Sequence, residues 1–116
     1  MNLVCFQGSD KDGWAQLNAL IKRGEWEKIV VVKDKSAETL PLPQKSELIT
    51  INKKRLLSDL KQDIVEKLRE KINNEFEVAL SIASGTGKEH MALISALLSI
   101  PVGIRLVAYT KNGVEY

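Results

Sequence analysis

Between residues 84 and 88 the chain reads Ser-Gly-Thr-Gly-Lys, a run with the composition of an anion site. Gly85 and Gly87 remove side chains that would hold a ligand off the backbone. Ser84 and Thr86 supply hydroxyl donors, and Lys88 supplies a mobile cation. The apolar run Ala79-Leu-Ser-Ile-Ala83 precedes the turn and a helical pattern follows it. A strand that breaks into such a turn and opens a helix aims free N–H groups and the positive end of the helix dipole at one point. The expected chemistry is retention of a phosphate or another anion.

Two familiar nucleotide fingerprints do not apply. A Walker loop ending at Gly87-Lys88 requires glycine at 82 and Ser or Thr at 89, where this chain has Ile82 and Glu89. A dinucleotide fingerprint requires a third glycine at 90, where His90 stands. A second polar loop, residues 7–13, follows the first strand and adds Gly8 and Ser9 to the candidate site. His90 is the only histidine, a candidate acid or base near neutral pH or a bystander in the first helical turn. Asp10 and Asp12 read as caps of the first helix rather than catalytic carboxylates. Trp14 reads as packing, with stacking on adenine as the alternative. Lys53-Lys54-Arg55 reads as a solvated opening of an amphipathic helix.

The elements that must position these residues alternate. Residues 2–6 form a buried strand, and Trp14, Leu17, Leu20 and Ile21 recur at helical spacing before a stop at Gly24. Lys28-Ile-Val-Val-Val-Lys33 is a β-branched run suited to a strand buried on both faces. Residues 34–46, with Pro41 and Pro43, form a connection, and Leu48–Ile51 a third strand. Asn52 is expected to cap a helix over 53–73, with Leu56, Leu57, Leu60, Ile64, Val65, Leu68 and Ile72 as its apolar stripe and an Asp63–Lys67 pair on its wet face. Val78–Ala83 is a fourth strand. Helix 88–100 carries Met91, Ala92, Leu93, Ile94, Ala96, Leu97, Leu98 and Ile100, leaving almost no polar face. One side of it therefore needs a second subunit, most simply across a twofold axis. Val102–Tyr109 reads as a fifth strand, and Lys111-Asn-Gly113 as a hairpin turn into Val114–Tyr116. The expected fold is α/β: a Rossmann-like, mostly parallel sheet with helices on both faces and a C-terminal β-hairpin, one domain over 1–116. Ligands in such folds bind beyond the carboxyl ends of the strands, where the 7–13 and 84–88 loops lie.

Composition narrows the partners. The apolar fraction is 44%, the charged fraction 28%, and the net charge +2, which argues against a DNA-coating protein. No apolar run approaches the ~20 residues that cross a bilayer. The N-terminus has no basic leader, so a cytoplasmic protein is expected. One cysteine and one histidine give no zinc or iron–sulfur set, and Cys5 reads as a buried, inert thiol. No metal and no cofactor are expected.

The strand-four motif, with Ser84, Gly85 and Lys88 at matching offsets and the Gly8-Ser9 loop beside it, resembles the CARF domains of CRISPR-linked defence. Thr86 and Gly87 stand in swapped order relative to that family, and Ile82 occupies a place usually held by Asp or Asn. The resemblance covers nearly the whole chain in element order. It implies a homodimer holding a cyclic oligoadenylate across its twofold axis, with Gly8, Ser9, Ser84, Gly85, Thr86, Gly87 and Lys88 as ligand-binding residues. It also implies a choice of jobs, since no effector domain follows the last strand. One is cleavage of the messenger as a metal-independent ring nuclease, with Lys88 supplying the cation and Ser9 orienting the ribose or the leaving oxygen. The other is binding and relay to a partner. Outside the resemblance, a non-catalytic adaptor or inhibitory subunit and a module for another nucleotide or phosphometabolite remain open.

Overall fold

The computed structural model describes residues 1–116. Five strands form one parallel sheet in the order β3-β2-β1-β4-β5: β1 is Asn2–Gln7, β2 Ile29–Asp34, β3 Ser46–Ile51, β4 Glu77–Ser81 and β5 Gly103–Leu106. Three helices connect them, α1 Lys11–Arg23, α2 Leu57–Ile72 and α3 Gly87–Leu98. The hairpin β6 Ala108–Thr110 with β7 Gly113–Glu115 forms a separate antiparallel pair. The architecture is the Rossmann-like α/β fold expected from the alternation of apolar runs.

β1 and β2 are central and buried along their whole length, which is why their sequences are continuous apolar runs rather than alternating ones. Their side chains divide between two cores. Leu3 and Cys5 point toward α1, with Leu17, Leu20, Ile21 and Trp26. Val4 and Phe6 point toward α2 and α3, with Leu60, Ile64, Leu68, Leu93 and Leu97. One helix thus covers one face and two cover the other. Burial pushes the Cys5 thiol up to about 12, so it stays protonated and unreactive at neutral pH.

Several boundaries differ from expectation, each for a nonlocal reason. Asn52 does not cap α2. Its Oδ1 accepts the Lys54 N–H at 3.1 Å, closing a turn over 52–55 that delays the helix to Leu57. Leu56 is left 72% exposed at the N-cap position instead of joining the apolar stripe. The Asp63–Lys67 pair does not form: Asp63 takes Arg55, at 2.7 Å, and the Lys67 ammonium donates to Thr50 O at 2.7 Å. The fourth strand ends at Ser81 rather than Ala83. The fifth strand is interrupted at Val107, which still donates its N–H to Leu80 O at 2.9 Å and buries its side chain on the α1 face. Past it β4 has no further residues to pair with, and the chain folds back on itself as β6–β7 against α1.

The 35–45 connection carries no helix, yet it is firmly held. Gln7, fully buried at the end of β1, donates to Glu38 O at 2.6 Å and accepts the Leu40 N–H at 2.8 Å. Its carboxamide continues the strand's hydrogen bonding into the loop, satisfying groups that burial would otherwise orphan.

Candidate functional site

Successive connections run outward in opposite directions from β1 and β4, so the sheet's switch point lies between them. A crevice beyond the carboxyl ends of strands at such a point is where ligands bind in open α/β sheets. A polar cleft of about 300 Å³ opens there. Ser9 and Asp10 reach it from the end of β1, Lys53 from the turn after β3, and Gly85, Thr86, Lys88 and Glu89 from the β4–α3 turn; no apolar side chain lines it.

The β4–α3 turn is shaped by local and distant contacts together. Thr86 is the N-cap of α3: its Oγ1 accepts the Glu89 N–H at 3.3 Å, while Glu89 Oε1 accepts the Thr86 N–H at 2.8 Å. This reciprocal capping box was legible as the spacing Thr-x-x-Glu, and it gives Glu89, absent from the expected site, a place in the wall. Gly85 takes φ +110°, a conformation that L side chains rarely adopt, and a Cβ there would lie 2.8 Å from the Phe6 ring. The amides of Gly87 and Lys88 donate to no protein acceptor, as the geometry of a helix start requires.

The two loops are locked to one another through Ser84. Its hydroxyl, fully buried, accepts the Gly8 N–H at 2.8 Å and donates to Asp10 Oδ1 at 2.8 Å. The same Asp10 oxygen accepts the Gly85 N–H at 3.0 Å. Asp10 stands at the N-cap position of α1 but makes no side-chain capping bond; its carboxylate instead crosses to the other loop. Desolvation pushes the Asp10 carboxyl up, but hydrogen bonds from the Ser84 hydroxyl and the Gly85 amide outweigh it and hold it below its ordinary value. An ionised carboxylate therefore sits on a donor of the glycine turn.

The expected site residues divide accordingly. Ser9, Gly85, Thr86 and Lys88 are brought together on the cleft wall. Gly87 is exposed one residue along, with open space where a side chain would stand. Gly8 and Ser84 are buried behind the wall and hold it. The Lys88 ammonium donates to Lys53 O at 2.9 Å and Arg55 O at 2.6 Å, bridging the β4–α3 turn to the turn after β3. His90 stands half-buried, its Nε2 2.7 Å from Ser84 O and its ring edge-on to Phe6, so it steadies the turn from behind. Lys53, expected to be a solvated lysine, lines the cleft and makes no ion pair. Only the packing of the 52–55 turn against α3 puts it there.

That turn is anchored from beneath by Asp34, which is 5% exposed. Asp34 Oδ1 accepts the Lys53 N–H at 2.7 Å, and Oδ2 accepts the Ser36 amide at 3.0 Å and the Ser36 hydroxyl. Burial alone would raise the Asp34 carboxyl, but the Ser36 hydroxyl, the Lys53 and Ser36 amides and the Lys53 charge hold it down to about 2. Because its folded value lies below the unfolded 3.8, this group stabilises the fold above about pH 4. The contribution, about 2 kcal/mol, is lost as pH falls from about 4 through about 2. Urea unfolding of the wild type across that window should show the loss, and Asp34→Asn should lack that component. Equal pH dependence in the two proteins would exclude this anchor.

Fold and cleft together define the class: a Rossmann-like α/β protein with a polar, cation-bearing cleft at its switch point. No family model, curated protein or solved structure matches the chain. None of its helices is long and apolar enough to cross a membrane.

Proposed function

We propose that this chain is a CARF-like domain that binds a cyclic oligoadenylate as a homodimer and cleaves the ring without a metal. The observation that carries the reading is the switch-point cleft. It brings the unpaired Lys53 ammonium and Lys88, whose ammonium also bonds the Lys53 and Arg55 carbonyls, together with Gly85 and Thr86 in one crevice with no apolar lining, and the Lys88 amide has no protein acceptor. Anionic ligands with several phosphodiesters suit such a set better than neutral metabolites do, because charge-assisted hydrogen bonds to phosphate are the stronger kind.

Support for the dimer comes from α3. Met91, 56% exposed, and Leu98, 73% exposed, flank Ile94, which is partly buried against the edge of the core. Two large apolar side chains left more than half exposed on one helix suit a face that a partner covers. A symmetric ring suits a symmetric pocket, each subunit holding half of it.

In ring cleavage a ribose 2′-oxygen attacks the adjacent phosphorus, the bond to the 5′-oxygen breaks, and a 2′,3′-cyclic phosphate forms. The 2′-proton passes to water and the 5′-oxygen regains one. Lys88 and the turn amides stabilise charge on the phosphoryl oxygens, and Ser9 orients the ribose or the leaving oxygen.

The test is incubation of the purified protein with cyclic tetraadenylate in excess chelator, followed by chromatography of the nucleotide. Conversion to linear products is expected. Lys88→Ala should slow it at least about a hundredfold, in the range of a lost transition-state donor, while size-exclusion chromatography still shows a dimer. Tight binding without conversion would make the domain a sensor that relays to a partner. Binding of other phosphometabolites but no oligoadenylate would reassign the ligand, and no binding of any would leave the adaptor reading.

A further inference from the structure

A second cleft, of about 270 Å³, shares Ser9 with the phosphate cleft and lies on its other side, between the start of α1 and the β2–β3 connection. Its walls are Ser9, Lys11, Trp14, Ser36, Ala37 and Glu38. We infer that this cleft is a nucleobase site in which Trp14 supplies the stacking face and the 36–38 loop the opposite wall. The inference rests on the phosphate reading of the neighbouring cleft and extends it to the base of the same nucleotide.

Three observations support this assignment. First, the Trp14 ring is oriented before any ligand arrives: its Nε1–H donates to Gly8 O at 2.5 Å. That bond fixes the indole plane on the same loop that carries Ser9.

Second, the group that stands over the Trp14 ring is a solvated side chain. The Lys11 ammonium stands 4.2 Å from the ring centroid on a side chain that is 73% exposed. Its other partner, Glu38, is 3.7 Å away and also well exposed. A solvated cation over an indole is held weakly, and a base has more surface to stack there. Once displaced, Lys11 stays within reach of the ligand's phosphates.

Third, the opposite wall is built at unusual cost. Three polar side chains, Gln7, Lys33 and Asp34, are buried to between 0 and 5% exposure and are spent on this loop. Gln7 bonds Glu38 O and Leu40 N, and Asp34 bonds Ser36. The Lys33 ammonium donates to Ala37 O at 2.8 Å and Asp34 O at 3.1 Å, with no carboxylate paired to it. Burying an ammonium on carbonyls alone is unfavourable, and a connection that only had to span two strands would not need it. A preorganised binding wall does. The Glu38 carboxylate at its rim accepts hydrogen bonds only, which favours bases with an exocyclic amine over those with a carbonyl there.

Fluorescence isolates this site, because the chain has two tryptophans and the other, Trp26, is buried in the core with its Nε1 on Leu20 O. The probes are adenosine 5′-monophosphate, which carries base and phosphate, and inorganic pyrophosphate, which carries no base. The monophosphate should quench emission in the wild type and not in Trp14→Phe. Trp14→Ala should weaken the monophosphate about 5- to 150-fold and leave pyrophosphate unchanged, while Trp14→Phe, which keeps a stacking ring, should retain affinity within about threefold. If the monophosphate binds without quenching, or Trp14→Ala weakens both probes alike, the base site is wrong and the phosphate cleft stands. If neither probe binds the wild type, the phosphate reading falls and this inference falls with it.

Discussion

Replacing Gly8 with Ala is expected to destabilise this domain by about 3 kcal/mol, the upper part of the range for overpacking a rigid contact. A Cβ at Gly8 would lie 2.5 Å from Gly85 Cα and 2.7 Å from Gly85 N, and both of those atoms are backbone. No rotamer change relieves such a clash, so the two loops must part. Parting them breaks the bonds through Ser84 that join Gly8 to Asp10. Each buried donor or acceptor left unpaired adds about 1–3 kcal/mol. For a chain of this size the midpoint of thermal unfolding should fall by about 10–15 °C. Gly87→Ala is the control, because its added methyl meets nothing within 4 Å. Equal melting of the two variants would mean that the β1 and β4 loops are not in contact. The same comparison tests the site, since a Gly8→Ala protein that still folds should have lost the shape of the cleft.

Asp10→Asn should tighten pyrophosphate binding about tenfold or more at low salt. The Asp10 carboxylate occupies the Gly85 amide and lines the cleft beside Lys53 and Lys88. It is held in its charged form by the Ser84 and Gly85 donors despite desolvation. An anion entering the cleft meets that charge at close range, where repulsion between unit charges is on the order of 1–4 kcal/mol at the effective dielectric of a protein surface. Asparagine keeps the acceptor oxygen for Ser84 and Gly85 and removes the charge. Calorimetric titration with pyrophosphate at two salt concentrations is the check, and the gain should shrink as salt screens the site. Weaker binding by a folded Asp10→Asn protein would mean that the carboxylate works for the ligand, for instance by holding the Gly85 amide in place.

These two residues also show how far the chain could be read in advance. Gly8 was legible as part of a polar loop beyond a strand, and its membership of the site region follows from that alone. Its contact with Gly85 was not legible, because 76 positions separate Gly8 from Ser84 and only the crossover through α2 returns β4 to the side of β1. By sequence Asp10 reads as a cap, because Asp before a helix usually is one. The competing offer, a buried serine and a free amide on a neighbouring loop, exists only once β1 and β4 are adjacent. The helix start at Leu57 failed in the same manner: Asn52 is a good cap by type, but Asp34 takes the Lys53 amide and pulls 52–55 into a turn. Lys88 reads from the sequence as a cation for an anion; in the fold it lines the cleft while its ammonium also bridges to the carbonyls of Lys53 and Arg55, whose position no local pattern encodes.

The sequence by itself determined the apolar runs, hence the strands, and the spacing of three and four, hence the helices and the face each buries. It determined the glycine turn and its capping threonine, because those depend on neighbours within a few residues. Tertiary structure alone decided which polar groups meet: Ser84 with Gly8 and Asp10, Lys88 with the 52–55 turn, Gln7 and Lys33 with the loop that faces Trp14. The physical reason is one of range. Backbone conformation and hydrophobic periodicity are fixed by local sterics and by which face must leave water. The partner of a side-chain hydrogen bond is fixed within a few tenths of an ångström by strand order and register, which the whole chain sets together.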